Sequence, residues 1–385
     1  MSELAGGRPA LGAVARAWGR IGIVGFGGPP AHIALLRDLV VERRKWMPAE
    51  QFEDGLAAAN LLPGPASTQL AIYTAWRTRG LAGALVGGLS FIVPGLVLIV
   101  ALAALFLGSP PDWIRGAGAG AGAAVAAVAV HAGLLLLRPA WQRVGSDVRR
   151  RFVVYALLGG AAAATLGPWL VAILLVCGAV ELGWRRLVGG GLSIAPVPAL
   201  IVAAATGGTL ASLSWVAFKV GALSYGGGFV IIPLMQADAV ERYGWMTDTE
   251  FLNAVALGQV TPGPVTHTVA AVGYAAAGVP GAVVAAFVAF APSFAFVLVG
   301  ARNFDRFLAN ADVRRFFDGA GPAAIGAILG SAIPLSLALQ ETWQWAVLAG
   351  AAVVLFVLRR GVVLTLLVAG AVGAAAVLFG APLSM

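Results

Sequence analysis

Residues 61–69 read LLPGPASTQ and residues 260–268 read VTPGPVTHT, two Pro-Gly-Pro breaks set 199 positions apart in stretches of Ala, Leu, Val and Gly. Proline removes a backbone donor and disfavours helix in the residue before it. Each Pro-Gly-Pro therefore ends one helix and opens the next at Pro65 or Pro264, a first-turn position that proline favours. At about 1.5 Å per residue, neither 49–62 nor 66–78 can cross a bilayer alone. They read as half-helices that enter and return.

The rest of the chain explains what they enter. Of 385 residues, 60% are hydrophobic and 11% charged, and the mean hydropathy is +0.90. No soluble domain of this length has that profile. Apolar stretches of spanning length lie at 81–108, 116–137, 152–184 (a pair split at Gly167-Pro168), 196–212, 279–300, 318–338 and 343–380 (a pair split at Arg359-Arg360). With about 20 residues needed per span, this makes about nine crossings. The net charge of +8 belongs to short loops between apolar runs, where cytoplasmic loops collect Lys and Arg, and not to a nucleic-acid surface. Cys177 is the single cysteine and lies in an apolar run, so disulfides and cysteine metal sites are excluded. No cleavable leader is expected: the first ten residues lack an apolar core, and the next segment carries Arg16 and Arg20.

The 199-residue spacing is a repeat. Gly25-Phe26-Gly27-Gly28-Pro29 answers the SYGGG run at 224–228. Trp46-Met47 answers Trp245-Met246, Glu42-Arg43 answers Glu241-Arg242, Phe52 answers Phe251 and Arg20 answers Lys219. One residue is then lost, and Gly80, Gly83 and Pro94 pair with Gly278, Gly281 and Pro292. Loop charges swap between the copies. Segments 37–45 and 77–79 are basic where 236–244 and 277–279 are neutral or acidic, whereas 301–315 and 138–151 are arginine-rich opposite the weakly charged 109–115 and 338–344. Under the positive-inside rule the halves are inverted, as in many secondary transporters. The expected fold is an all-α polytopic membrane protein made of two homologous inverted-topology repeats, residues 1–190 and 212–385. An extra crossing within the 191–211 linker would supply the odd parity. Segments 37–45, 77–79, 138–151, 185–186, 301–315 and 359–360 would face the cytoplasm.

Irregular backbone at membrane depth is tolerated where it is buried in protein or lines a polar cavity. The N–H groups of Ala66, Ser67 and Thr68, and of Val265, Thr266 and His267, lie at helix N-termini that favour anions. Ser67, Thr68 and Gln69 after the first break, and Thr266, His267 and Thr268 after the second, add hydroxyl, amide and imidazole donors. Asn60 and Gln259 precede the breaks. Arg20 and Lys219 lie in apolar surroundings, where a cation needs a reason. They would suit a dianion, the alternative being that they snorkel to the interface. Thr247-Asp248-Thr249-Glu250 has the capping-box pattern. His32 reads as an indirect hydrogen-bonding support, His131 as structural, Glu53 and Asp54 as partners of a helix dipole, and Trp46 and Trp245 as interfacial anchors. GAGAGAGAA at 116–124 reads as close helix packing, not a nucleotide loop.

GFGGPPAHIALLRDLVVERRKWM followed by LLPGPASTQLA, with KVGALSYGGGFVIIPLM followed by QVTPGPV in the second half, resembles the two-domain chromate ion transporter family. The resemblance implies export of chromate from the bacterial cytoplasm, chromate resistance, sulfate as the similar competitor, and a multi-pass plasma-membrane location. It places the motif positions at Gly27, Gly28, Pro29, His32, Pro63, Gly64 and Pro65, and at Gly226, Gly227, Gly228, Pro262, Gly263 and Pro264. The second copy departs in lacking a proline after its glycines and in having Ile231 opposite His32, so the halves need not contribute equally. The expected site is therefore Arg20, Gly27, Gly28, Pro63, Gly64, Pro65, Ser67, Thr68, Gln69, Lys219, Gly226, Gly227, Pro262, Gly263, Pro264, Thr266 and His267. No cofactor, metal or enzymatic activity is expected. The partners are chromate, sulfate, the lipid bilayer and a second copy of the chain as a homodimer, with nucleic acid excluded. The readings weighed against it are transport of sulfate or another ion, a non-transporting scaffold, and an intramembrane enzyme using Ser67 or Ser224 with a histidine base.

Overall fold

The computed structural model describes residues 9–61, 64–108, 110–145, 148–165, 169–188, 208–224, 230–300 and 310–383. Pro63, Gly226, Gly227, Gly228, the Gly167-Pro168 split, most of the 196–212 stretch and residues 301–309 lie outside them. Among the described residues the protein is all-α, with no strand. Its helices are α1 (Leu11–Val24), α2 (Pro29–Arg37), α3 (Ala49–Leu61), α4 (Ala66–Phe106), α5 (Asp112–Ala123), α6 (Val125–Arg143), α7 (Arg149–Thr165) and α8 (Leu170–Val188) in the first half. The second half has α9 (Thr209–Leu223), α10 (Ile231–Gln236), α11 (Asp248–Val260), α12 (Thr268–Gly300), α13 (Ala311–Gly330), α14 (Ala332–Leu337), α15 (Thr342–Ala352) and α16 (Val362–Leu378).

Among the described residues four helical runs are long and apolar enough to cross a membrane: Ala66–Phe106, Asp112–Arg143, Val265–Gly300 and Ala311–Leu337. Leu81, Leu85, Leu89, Val93 and Val97 form an i, i+4 stripe on the outside of α4, with Val97 64% exposed. A contiguous apolar strip of this kind belongs against lipid. The chain is an all-α membrane protein.

The two copies share backbone detail as well as sequence. α3 and α11 keep the 199-residue register. Each is preceded by a π-helical turn, Asp38–Arg43 and Ala237–Arg242, closed by Trp46 N–H to Val40 C=O and Trp245 N–H to Ala239 C=O, both at 2.8 Å. The capping box forms as read: Thr247 Oγ1 accepts from Glu250 N–H at 3.3 Å, and Thr247 N–H donates to the Glu250 carboxylate at 2.7 Å.

α4 is one helical run by its hydrogen bonds but not one rod. Arg79 and Gly80 have φ/ψ of −142°/19° and 66°/−154°, and Ala277 and Gly278 in α12 have −155°/30° and 62°/−153°. Gly88 packs against Ile72, a separation of about 24 Å on a straight helix at 1.5 Å per residue. Gly273 likewise packs against Ala285. Both runs therefore fold back at the glycine, and 66–78 is a half-helix antiparallel to the 81–106 arm. Residues 77–79 are not the loop that their charge suggested. They form the last turn before the reversal, because glycine there adopts a conformation closed to other residues.

Small residues hold the arms together. α1 packs on α4 with Gly22 against the Phe91 carbonyl, and α9 packs on α12 with Gly221 against Ala289. Trp18, fully buried, donates its indole N–H to Ala71 C=O at 2.8 Å. α4 and α12 also pack on each other, and the halves interlock further out, with α7 and α8 against α13 and α5 against α16. In the GAGAGAGAA stretch, Gly116 and Gly120 meet Gly373 of α16 while Gly118 and Gly122 meet Asn253 and Leu252 of α11. The close-packing reading of that stretch holds on two faces at once.

Candidate functional site

α1 ends at Gly25, and Gly27 and Gly28 follow with φ of +100° and +72° before Pro29 opens α2. This turn places His32, one turn into α2 and fully buried, with Nε2 2.8 Å from Gly25 C=O and Nδ1 3.2 Å from Ser67 Oγ. The same Gly25 carbonyl accepts Gly263 N–H at 3.0 Å. One oxygen thus joins the first glycine-rich break to the second Pro-Gly-Pro break, and His32 joins both to the start of α4. Phe91 stands edge-on to the His32 ring at 5.1 Å.

At the first Pro-Gly-Pro, Gly64 has φ +120°, and Thr68 and Gln69 N–H groups bond back to Pro65 C=O at 2.9 and 3.0 Å. At the second, Gly263 has φ +96° and His267 N–H bonds to Pro264 C=O at 2.9 Å. Thr68 and His267 N–H groups, expected to be free, are therefore used within the turn. Those of Ala66 and Ser67, and of Val265 and Thr266, remain outside the helical ladder, as the first residues of any helix do. Ser67, Thr68, Thr266 and His267 are all 1% exposed or less. Thr268 returns its hydroxyl to Val265 C=O at 2.8 Å.

Several buried hydroxyls here have no partner among the described residues: Thr68 Oγ1, Thr266 Oγ1, Ser224 Oγ and Ser293 Oγ. Orphaned polar atoms are rare in a protein interior and call for an occupant. Ser224 and Ser293 were not counted among the expected site residues. They stand where the first half has Gly25 and Gly95, and that exchange of glycine for serine was the available signal. The His267 ring lies edge-on to Phe290 at 5.3 Å and closes against Gly95, where an added Cβ would stand 2.6 Å from its Cε1.

The two expected cations are not brought together. Arg20 is on the exposed side of α1. Lys219 is buried, but its ammonium is bonded to Asp238, with the Trp215 ring 5.9 Å away. The repeat explains the difference, since the first-half counterpart of Asp238 is Leu39. Arg20 has no internal carboxylate to draw it in, and the charge of Lys219 is already neutralised. Asp238 was missed; the signal was an acidic residue appearing opposite Leu39.

An open cavity of about 810 Å³ reaches this region from one side, lined by Glu53, Asn60, Gly64, Ala66, Arg143 and Arg314 among others. Arg143 and Arg314 belong to the arginine-rich segments. Glu53, read as a dipole partner, is ion-paired with Arg37 at 3.2 Å. Asn60 is exposed to the cavity, whereas Gln259, its counterpart, is buried with Nε2 unpartnered. His131 packs beside Phe356 at 5.7 Å, in keeping with a structural role.

Interrupted helices meeting at a buried polar cluster inside an all-α membrane protein are the kind of element from which membrane transporters build binding sites. The comparisons with known proteins give the family. The sequence profile described as Chromate transporter matches residues 12–184 and 211–374, so the chain belongs to the chromate transporter family. It is 32% identical over 335 residues to the chromate transport protein of Cupriavidus metallidurans, covering 82% of this chain and 80% of that one. It is 31% identical to a probable chromate transport protein of Synechococcus elongatus, with 82% of each chain covered, and 29% identical to the chromate transport protein of Pseudomonas aeruginosa, with 84% and 80% covered. No solved structure matches. Ser67 beside His32 is the pairing a nucleophile and base would adopt, but the family is one of transporters, and the protein is not an enzyme.

Proposed function

We propose that the protein exports chromate across the bacterial plasma membrane by alternating access, binding the oxyanion where the second Pro-Gly-Pro break meets the first glycine-rich break and the start of α4. The observation that carries this reading is the Gly263 N–H to Gly25 C=O bond at 3.0 Å, which holds breaks from both halves together, beside orphaned hydroxyls on Thr68 and Thr266. The helix starts at this cluster offer a dipolar field and N–H donors to a tetrahedral anion. Donors that lack protein partners are worth most in a dry site.

In this reading the halves, residues 1–190 and 212–385 joined by 191–211, are of opposite orientation, as the loop charges require. The cavity rimmed by Arg143 and Arg314 is then the cytoplasmic entrance, and its arginines concentrate anions there. A dianion leaving a negative cytoplasm gains about 2.3 kcal/mol per charge per 100 mV, so export needs no chemical step. The names of the relatives favour chromate over sulfate, although both would fit the donors. The test is flux of labelled chromate and labelled sulfate in proteoliposomes with voltage imposed. Chromate moving faster than sulfate toward the positive side is expected, and chromate movement no faster than in empty vesicles would refute it.

A further inference from the structure

The repeat supplies a control for His32. Its counterpart is Ile231, buried as the first residue of α10, and the counterpart of Ser67 is Thr266. The same helix start thus stands once with an imidazole bonded to its first hydroxyl and once with that hydroxyl unbonded, so the backbone does not require the bond.

The imidazole adds a directed hydrogen-bond chain. A carbonyl only accepts, so the Nε2 facing Gly25 C=O at 2.8 Å carries the hydrogen. In the neutral ring Nδ1 then has only a lone pair, and the Ser67 hydroxyl 3.2 Å away must donate to it. Ser67 is the first hydroxyl of α4, yet its proton is turned toward His32. Thr266, although His267 follows it, has no imidazole bonded to its hydroxyl among the described residues. A proton added at Nδ1 reverses the bond: Nδ1–H donates to Ser67 Oγ, and the Ser67 proton swings free to an anion at the start of α4.

The surroundings decide when that proton is held. On α1, Arg16 and Arg20 are exposed. On α2 and the π-helical turn, Arg37 is paired with Glu42 and Glu53, and Arg43 with Asp38, at the exposed rim. On α4, Arg77 and Arg79 lie at the far end of the half-helix. The titratable group facing His32 from the second break is His267, which is no counter-charge. An imidazolium buried here is costly without a partner, and so is a desolvated dianion. Each offsets the other.

Resting on the oxyanion reading above, we propose that His32 and Ser67 form a proton-coupling site, in which a proton on His32 Nδ1 travels with the anion and Ser67 reports its presence to the binding donors. The carrier then moves a dianion plus a proton, one net negative charge per cycle.

The experiment uses the full chain in proteoliposomes loaded with a pH-sensitive dye, driven by an inward gradient of chromate at mildly alkaline pH, where chromate is the dianion. One proton should enter per chromate. His32→Gln can still donate to Gly25 and accept from Ser67 but holds no proton, and it should move chromate without protons. If that variant fails to fold, Ser67→Ala, which keeps the imidazole on Gly25, should break the same coupling. Chromate flux without proton entry in the parent overturns the proposal, as does undiminished proton entry in either variant. A parent that moves no chromate refutes the transport reading itself, and the coupling site with it.

Discussion

The Lys219–Asp238 pair lends itself to a quantitative test, because the first half shows what the fold does without it. Lys219 and Asp238 side chains are 9% and 0% exposed, while their counterparts are an exposed Arg20 and Leu39. Removing one partner of a buried pair leaves an uncompensated charge, at about 3–5 kcal/mol. Asp238→Leu, which copies Leu39, should therefore destabilise the protein by that amount, and so should Lys219→Met if the Asp238 carboxylate stays ionised. Replacing both removes the charge and the need for it, and similar apolar pairs are close to neutral or stabilising. The double variant should lie within about 1 kcal/mol of the parent, giving a coupling energy of at least about 5 kcal/mol in a double-mutant cycle. The measurement is denaturant unfolding in detergent, followed by chromate flux in proteoliposomes. Flux should survive in the double variant, since the Lys219 ammonium is already paired with Asp238. A stable double variant with no flux would refute that assignment, and additive single effects would refute the pair itself.

Three further outcomes are expected. Thr266→Val removes an orphaned hydroxyl without changing shape, so it should leave stability unchanged or raise it by about 1 kcal/mol while chromate flux falls roughly tenfold, the effect of losing about 1.4 kcal/mol of anion binding; a loss of stability would show that the hydroxyl is structural. Gly80→Ala meets no atom within 4 Å yet should cost about 1–3 kcal/mol, because at φ 66° and ψ −154° the penalty is backbone strain alone; an unchanged unfolding midpoint would refute it. Gly95→Ala drives a methyl against the Pro262 carbonyl and the His267 ring and should cost about 1–3 kcal/mol through overpacking, with chromate flux lost more completely than stability; retention of full flux would remove Gly95 and the second break it packs on from the site.

The sequence announced much of this because broken helices are written in proline and glycine. Pro65 and Pro264 stand at helix starts, as caps rather than as the first helical residues that the spacing suggested, the second before a 3-10 turn, and the box at Thr247 to Glu250 closes as read. The reversal at Gly80 was half legible: the glycine was visible in the repeat, but the loop charges drew attention to the arginines beside it. Arg20 and Lys219 misled because equivalence in sequence carries no information about which side chain finds an internal counter-ion. That depends on Asp238, nineteen positions along the chain from Lys219, whose relevance appears once the π-helical turn folds it toward α9. The His32 to Gly25 contact was similarly beyond reach, since it arises from the two positive-φ glycines between them.

The cross-packing of the halves bears on how the molecule is made. When the first half leaves the ribosome, Gly116 and Gly120 have no cover and Gly159 has no neighbour, because those surfaces are completed by α16 and by Ala323 of α13. Neither copy is a finished object by itself. The earliest helices wait for the last, so an injury near the C-terminus is felt as loosened packing at the opposite end of the chain.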